Sequence, residues 1–457
     1  SGNQNPLVVL DGYPTELSID MINPNEIESV TILKDAAAAT VYGVRASNGV
    51  IVVERKQAVI GKPRFSFRSS LGITPEENYS RYRWDDNASA INIDYQREQN
   101  KNISDGAWSN MLKFPGLSSK PVYDVLAQEK ASIITPQQAE DKLAEMGNYN
   151  NAADYARLFL RPALNQVYNL NISGGSKGAL YYFTANYSRN RLQQINNKSE
   201  MFQLSGRTTL DLASRLSLEL STDFSGRKSI SAPVPDINSI QPYERLEDEN
   251  GTPLPVYANS NINPYYNDIL MEKGLLDNLY YPLREAEEVS DRNRVYTNRI
   301  TANFRYRLGS GFNLQFGGVY ENQKSEVKHY ATERSAEARQ YVNSYTTINS
   351  LGVPEYNVPI GGFLQQKNFG TEGYTLRGQL NYDKRLGKDH SINGIIGTEI
   401  REAVKQSSSA AYFGYDDESL IQRPINYETG STGFSNQLLY AVGVNYLSLF
   451  NQRDVNN

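Results

Sequence analysis

Two histidines, His329 and His390, are the only imidazoles in 457 residues, and 61 positions separate them. His329 falls at the end of a strand-like alternation and His390 in a short turn. Neither has the closely spaced companions of a zinc site, so both read as ordinary surface residues. There is no cysteine, which excludes thiolate nucleophiles, thiolate metal sites and disulfide staples. Asp416, Asp417 and Glu418 form an acidic run that either holds a hard cation or is a solvated loop tip. Among 51 Asp and Glu residues, a pair suited to glycoside hydrolysis is defined by its separation in space, which sequence does not give. Nucleophilic chemistry, nucleotide chemistry, a bound metal and a cofactor are therefore not expected.

The elements that position side chains begin with a small α/β unit over 23–53, NPNEIESVTILKDAAAATVYGVRASNGVIVV. Asn23 caps a helical turn that starts at Pro24, and Glu26, three positions past the cap, is placed to reach back to the cap amide. The run 30–33 is β-prone, Asp35 caps a helix over 36–42, and Gly43 ends it with a left-handed residue. Asn48 and Gly49 are a turn pair. Val50, Ile51, Val52 and Val53 are continuous enough in branched apolar residues to form a strand buried on both faces. The run 7–10, ahead of Asp11 and Gly12, is a third strand of the same sheet.

Beyond residue 60 the pattern changes. The stretch 216–224 alternates apolar and polar residues without error, so one face meets lipid or core while Glu219 and Asp223 point the other way. The same period recurs over 65–73, 168–173, 181–187, 202–212, 300–308, 312–316, 374–382, 392–400 and 438–446, ten strands in all. Ile300, Phe304 and Tyr306 oppose Arg299, Arg305 and Arg307, a face too charged for a dry core and tolerable in a watery lumen. With Arg377, Glu219 and Asp223 this set either hydrates a channel or contacts whatever fills it. Links alternate between short (174–178, 213–215, 309–311, 386–390) and long (74–165, 193–200, 229–294, 333–370, 407–433). That asymmetry is the habit of outer-membrane barrels, with short periplasmic turns and long outer loops.

Composition agrees without choosing this answer. A chain of 457 residues exceeds a usual single core. A mean hydropathy of −0.57 and no apolar run approaching 18 residues argue against membrane helices and say nothing of a barrel. A net charge of −5 argues against a nucleic-acid partner.

Three strings, PLVVLDG at 6–12, the N-terminal unit over 23–53 and NLNISGGSKGALYYFTANYSRN at 169–190, resemble the plug and early barrel of SusC/RagA-type TonB-dependent outer-membrane transporters. They occur in that family's order and spacing, strongly over 6–55 and 165–190 and as strand pattern elsewhere. The resemblance implies an antiparallel, up-and-down membrane β-barrel, incomplete here, with a small α/β plug inside. Residues 1–60 would be the C-terminal half of the plug and 61–457 the first part of a barrel of about twenty-two strands. It also implies a multi-pass location in the bacterial outer membrane and import of a large nutrient, glycan, oligosaccharide or peptide. The partners implied are a SusD-like surface lipoprotein as lid and TonB as energy source, acting through a segment missing from this chain. Because the chain begins at Ser1 inside the plug and ends at Asn457 short of the barrel's usual end, a longer polypeptide is expected. The plug motif falls on Asp11, Gly12, Lys34, Asp35, Tyr42, Gly43, Arg45, Asn48 and Gly49. Lys34, Asp35 and Arg45 flank the plug helix, where they pair either with wall charges or with one another.

The long loops read as structured. Thr135, Pro136 and Gln138 open a capped helix with Ala139, Leu143 and Met146 on one face and Gly147 as its stop. Tyr243, Tyr257, Tyr265, Tyr266, Tyr280 and Tyr281 share one loop, and Trp84, Trp108 and Tyr345 lie in others. Their flat faces either grip apolar sugar or peptide surfaces or pack the loops together. A second reading, a surface carbohydrate-binding or adhesin β-protein without transport, shares these loops and differs in needing no detergent.

Overall fold

The computed structural model describes residues 6–17, 19–33, 48–77, 88–113, 120–260, 262–386 and 390–425. The expected helix over 36–42, the expected strand over 438–446, and Lys34, Asp35, Tyr42, Gly43, Arg45 and Trp84 lie outside them.

The N-terminal unit is a four-stranded sheet in the order β2-β1-β4-β3, with β1 Leu7–Leu10, β2 Tyr13–Thr15, β3 Ile27–Leu33 and β4 Val50–Arg55. Asp11 (φ 49°) and Gly12 (φ 84°) are both left-handed, as the two-residue turn joining β1 to β2 requires. Strand β4 lies between β1, its parallel partner, and β3, its antiparallel one. Leu7, Val9 and Val50 bury one face of this sheet and Leu10, Ile22 and Val53 the other, so the run 50–53 does pack on both sides. Glu26 departs from expectation. Asn23 caps the turn through the Asn25 amide, and the Glu26 carboxylate accepts from the Asn23 side chain at 3.2 Å while its second oxygen faces away, toward the large sheet.

That sheet has nine antiparallel strands, each paired with its neighbours in the wall. They are β5 Gly61–Thr74, β6 Ala163–Ser176, β7 Ala179–Arg191, β8 Lys198–Ala213, β9 Leu216–Ser231, β10 Val289–Gly309, β11 Phe312–Ala331, β14 Gly362–Leu386 and β15 His390–Tyr415; a small hairpin of β12 Thr346–Ile348 and β13 Pro354–Tyr356 stands in the loop before β14. Its burial is inverted relative to a water-soluble protein. Phe67, Phe183, Ile300 and Leu376 are exposed, whereas Arg299 is fully buried at 0% and Thr375 at 1%. A wall that shows apolar side chains outward and turns polar ones onto a plug is a membrane barrel wall. On β10 the outward aromatic positions run from Tyr296 to Tyr306. The ten residue steps between them at ~3.4 Å, tilted by about 40°, span about 26 Å, the height of an outer-membrane apolar band. No helix among the described residues is long and apolar enough to cross a membrane.

The strands overrun that band. Strand β14 begins at Gly362 and β15 ends at Tyr415, inside segments the alternation reads as loop. Above the bilayer both faces meet water, so Gln365, Gln366, Lys367 and Asn368 carry no alternation although the ladder continues through them. The remaining loops hold α1 Ala88–Gln99, α2 Ala107–Met111, α3 Pro121–Lys130, α4 Pro136–Gly147, α5 Ala152–Phe159, α6 Pro264–Glu272, α7 Pro282–Glu288 and α8 Ala336–Ser344, all at the end opposite the short turns. The box of Thr135 and Gln138 opens α4, but Gly147 stays helical and Asn148 is the cap. Tyr155 and Phe159 pack with Ile237, Ile240 and Leu246, tying the first long loop to the third.

Because β11 and β14 pair continuously from Ala331↔Phe363 downward, the amides of 363–372 are expected to exchange with deuterium far more slowly than those of 349–353. Equal, fast exchange in both segments would show that the upper ladder does not exist in solution.

Candidate functional site at the plug and wall seam

Charged side chains converge where the small sheet meets the inner face of the wall. Arg55, which closes β4, is 5% exposed. It donates from Nε to Asp11 Oδ2 at 2.7 Å, from Nη1 to Asp223 Oδ1 at 2.5 Å and from Nη2 to Ser221 Oγ at 3.1 Å. Its amide donates to Asp11 Oδ1 at 3.1 Å, so the turn residue Asp11 orients it from both sides. Arg207 of β8 donates from Nη2 to Glu26 Oε2 at 3.0 Å and from Nη1 to the Lys56 carbonyl at 2.5 Å. Arg299 of β10 donates to Glu321 at 2.8 Å and to the Leu10 carbonyl at 3.1 Å. Glu321 in turn accepts from Thr15 Oγ1 at 2.6 Å and the Glu16 amide at 3.1 Å.

The contacts continue along the seam. Arg377 reaches the Gly12 carbonyl at 3.0 Å while lying 4.7 Å over the Tyr13 ring, and Tyr13 donates to Asn303 at 2.5 Å. Glu16 is held by Arg401 at 2.6 Å and Lys405 at 2.9 Å, and Asp20 by Arg227 at 2.5 Å. At Gly317 a Cβ would stand 2.0 Å from Asn303 Oδ1 and 2.6 Å from the Tyr13 hydroxyl, so the wall needs glycine there to seat Tyr13. Below the Asp11–Gly12 turn a polar cavity of about 310 Å³ remains, bordered by Glu219, Arg305 and Gln379. The charged inward set thus divides: Arg299, Arg377 and Asp223 grip the small sheet, Glu219 and Arg305 border the open space, and Arg307, next to the short turn, is exposed. The alternation placed these wall residues on one face; Arg55 and Glu16 were not singled out, and the local pattern does not mark Arg55, since Glu54 is the first charge after the run 50–53.

Other sequence-selected residues stand apart from this seam. Gly49 (φ 89°) follows Asn48 in the turn before β4 and accepts the Leu7 amide at 3.0 Å. Tyr243, Tyr266 and Tyr345 are buried in loop cores. Tyr257 donates to Asp124. Tyr265 accepts from Gln128 at 2.6 Å and meets Trp108 edge-on at 4.7 Å. Tyr280 packs against the core of the third loop, and Arg284 stacks 4.2 Å over Tyr281. His329 is not an ordinary surface residue: its ring nitrogens lie 2.8 Å from Asp291 and 2.8 Å from Glu337, which ties α8 to the wall. His390 is exposed at the start of β15. Asp416 accepts from Ser419 and Asp417 pairs with Arg292, and among the described residues no group of three acids or histidines could hold a metal. The string GGSKG at 174–178 has the G-x-S-x-G spacing of a nucleophile elbow, contrary to the expectation that no nucleophilic motif is present. It forms the hairpin in which Ser176 pairs with Ala179, not the strand-to-helix turn that such a nucleophile needs.

Arg55→Ala is expected to leave Asp223 and Asp11 without the guanidinium that joins them and to destabilise the seated sheet by about 3–5 kcal/mol. The measurement is protease sensitivity of residues 6–55, and an unchanged cleavage pattern would refute the role given to Arg55.

A second set of buried charge lies in the loops. Glu285 of α7 is 2% exposed and accepts the Ala336 amide that opens α8 at 2.5 Å. Burial pushes its carboxyl up to about 7, against the opposing pull of that amide and of Arg339, with Glu337 adding to the rise. A raised acid holds its proton more tightly when the loop is docked, so this contribution is full below about 4.5 and is lost as pH climbs through about 7. Glu285→Gln should flatten the pH dependence of amide protection over α7 and α8 between pH 5 and 7. An identical slope in the variant would assign the pH dependence elsewhere.

Residues 1–50 match the family described as TonB-dependent Receptor Plug Domain. TonB-dependent receptor P26 of Formosa agariphila is 23% identical over 436 residues, covering 92% of this chain and 36% of that protein. TonB-dependent receptor SusC of Bacteroides thetaiotaomicron is 26% identical over 198 residues, covering 41% of this chain and 15% of that protein. The chain therefore spans about a third or less of the curated relatives it matches. Among solved structures, the RagAB peptide importer in its closed-closed state superposes with a TM-score of 0.63 at 17% identity, over 92% of this chain and 43% of that one.

Proposed function

We propose, for a chain that belongs to the SusC/RagA type of TonB-dependent receptors, that it serves import of a large nutrient across the bacterial outer membrane by movement of the plug. The observation that carries this is the composition of the seam. An apolar seam would resist separation by ~25 cal/mol for each Å² exposed. Paired charges cost little net free energy to exchange for water when both partners are rehydrated together. A plug seated through Arg55, Arg207, Arg401 and their carboxylates is thus positioned firmly and released without a large hydrophobic cost.

In this reading residues 1–60 are plug and the rest is wall, with the strands crossing the membrane repeatedly. TonB pulls the plug from the periplasm, and a SusD-like lipoprotein covers the helical loop layer. The cargo is a glycan, an oligosaccharide or a peptide. Support for a peptide comes from the RagAB importer's likeness in fold, and partly exposed Trp108 and Tyr265 offer flat faces to either class. The plug motif residues Lys34, Asp35, Tyr42, Gly43 and Arg45 belong to the same reading.

The test is growth on defined glycan mixtures and on peptide digests as sole nutrient, in strains lacking this protein or lacking TonB. Both deletions are expected to abolish growth on one nutrient class and to leave glucose growth intact. Uptake that survives either deletion would exclude TonB-driven import by this protein.

A further inference from the structure

Above the apolar band, the outward face of the wall becomes charged, with Lys228 and Arg294 between Glu200 and Glu326 in one row. Lys228 and Arg294 are register partners, with Glu326 beside Arg294; one step lower, Tyr296, Lys324, Gly370 and Gln406 stand side by side across β10, β11, β14 and β15. These positions share the parity of Ile300 and Tyr320, so they look toward the membrane side of the wall and not into the lumen. Between them lies a groove of about 500 Å³. Two glycines shape it. Tyr296 leans over Gly226, where a Cβ would stand 3.3 Å from its ring, and nothing lies within 4 Å of a Cβ position at Gly370, which leaves the floor open. Arg294 keeps 56% of its side chain exposed, with Glu326 4.0 Å away, and Lys324 is exposed and makes no ion pair among the described residues.

A second, apolar groove of about 480 Å³ begins further down β10 at Asn298 and Ile300 and runs the other way, across Phe224, Leu204 and Phe183 to Leu170 on β6, so that it lies below Lys228 and Arg294 and meets the first groove at β10. Cations over an aromatic rim over a greasy channel is the profile of an amphiphile: phosphate above, acyl chain below. Guanidinium and ammonium donors converging at the bilayer surface match phosphate oxygens in charge and geometry. The chain carries a net charge of −5, so this patch is not a by-product of a basic protein.

We propose that Arg294, Lys324 and Lys228 form a binding site for the phosphorylated headgroup of a membrane lipid, with its acyl chain in the apolar groove beneath. The site rests on the reading of the wall as a lipid-immersed barrel and assigns one contact to that immersion. A free phosphate would satisfy the cations alone, and only a lipid uses both grooves.

The experiment is native mass spectrometry of the full polypeptide in detergent, with lipid A carrying its phosphates, the same lipid dephosphorylated, and inorganic phosphate as competitor. The phosphorylated lipid should bind most tightly, and Arg294→Ala with Lys324→Ala should weaken it about 30-fold, two interfacial cations being lost. Lys177→Ala, in a turn at the opposite end, should leave it unchanged. Equal binding of the dephosphorylated lipid, an unaffected double variant, or displacement by millimolar phosphate would each overturn the site. Heat-modifiable migration is scored on the same samples. Its absence in the unmodified protein means that the barrel reading has failed; its presence without phosphate discrimination means that only the lipid site has.

Discussion

In the proposed import reading the plug is held and let go, and that constrains the chemistry of everything it touches. Apolar packing scales with area and is slow to rewet, whereas charges that find water on separation recover most of what they lose. The seam between plug and wall obeys that rule. Its contacts are chiefly guanidinium to carboxylate or carbonyl and hydroxyl or amide to carboxylate, with Tyr13 between Asn303 and Arg377, while Leu7, Val9, Leu10, Ile22, Val50 and Val53 fill the plug sheet's own two small cores. The plug is thus a self-contained body with a polar coat, seated in a polar lumen.

The wall meets the complementary constraint. Lipid on one side and plug on the other require each strand to carry two unrelated surfaces at a period of two residues. Glycine appears where the two demands leave least room: Gly317 faces inward under Tyr13, and Gly206 faces outward under Phe183, where a Cβ would be 2.8 Å from the ring.

This explains what could be read in advance and what could not. Within the bilayer the alternation is forced, so strands such as Leu216–Ser231 were visible from 216–224 alone. Beyond the bilayer the same strands lose their pattern, and β14 and β15 run on through segments such as Gln365–Asn368 that look like loop. Local chemistry was legible where a backbone conformation demanded it, as at Asn48 and Gly49. It misled at Glu26, whose spacing suits a capping box but whose second oxygen found Arg207 across 181 residues of sequence. Arg55 was silent for the same reason, since a charge at a strand end is ordinary until its partners arrive from β9.

The ion pairs also sort by which body supplies the partners. Arg299 with Glu321 and Arg377 with Glu399 are pairs within the wall, at 2.8 Å and 2.5 Å, to which the plug adds the carbonyls of Leu10 and Gly12, the Thr15 hydroxyl and Glu16 amide on Glu321, and the Tyr13 ring under Arg377. Arg55 with Asp223, Arg207 with Glu26 and Arg401 with Glu16 cross from plug to wall. In the proposed movement of the plug, the first group exchanges its plug contacts for water while its own carboxylates keep the arginines aimed; the second group is broken outright. In that reading Arg299 and Arg377 stay aligned by their own carboxylates, and Arg207, Arg227 and Arg401 face the returning plug, whose Glu26, Asp20 and Glu16 carry the opposite sign. Attraction between such surfaces reaches about 8 Å through physiological salt, which is far enough to guide reseating before any hydrogen bond forms. The division of labour gives the seat a memory of its register that a seam made only of crossing pairs would lose each time it opened.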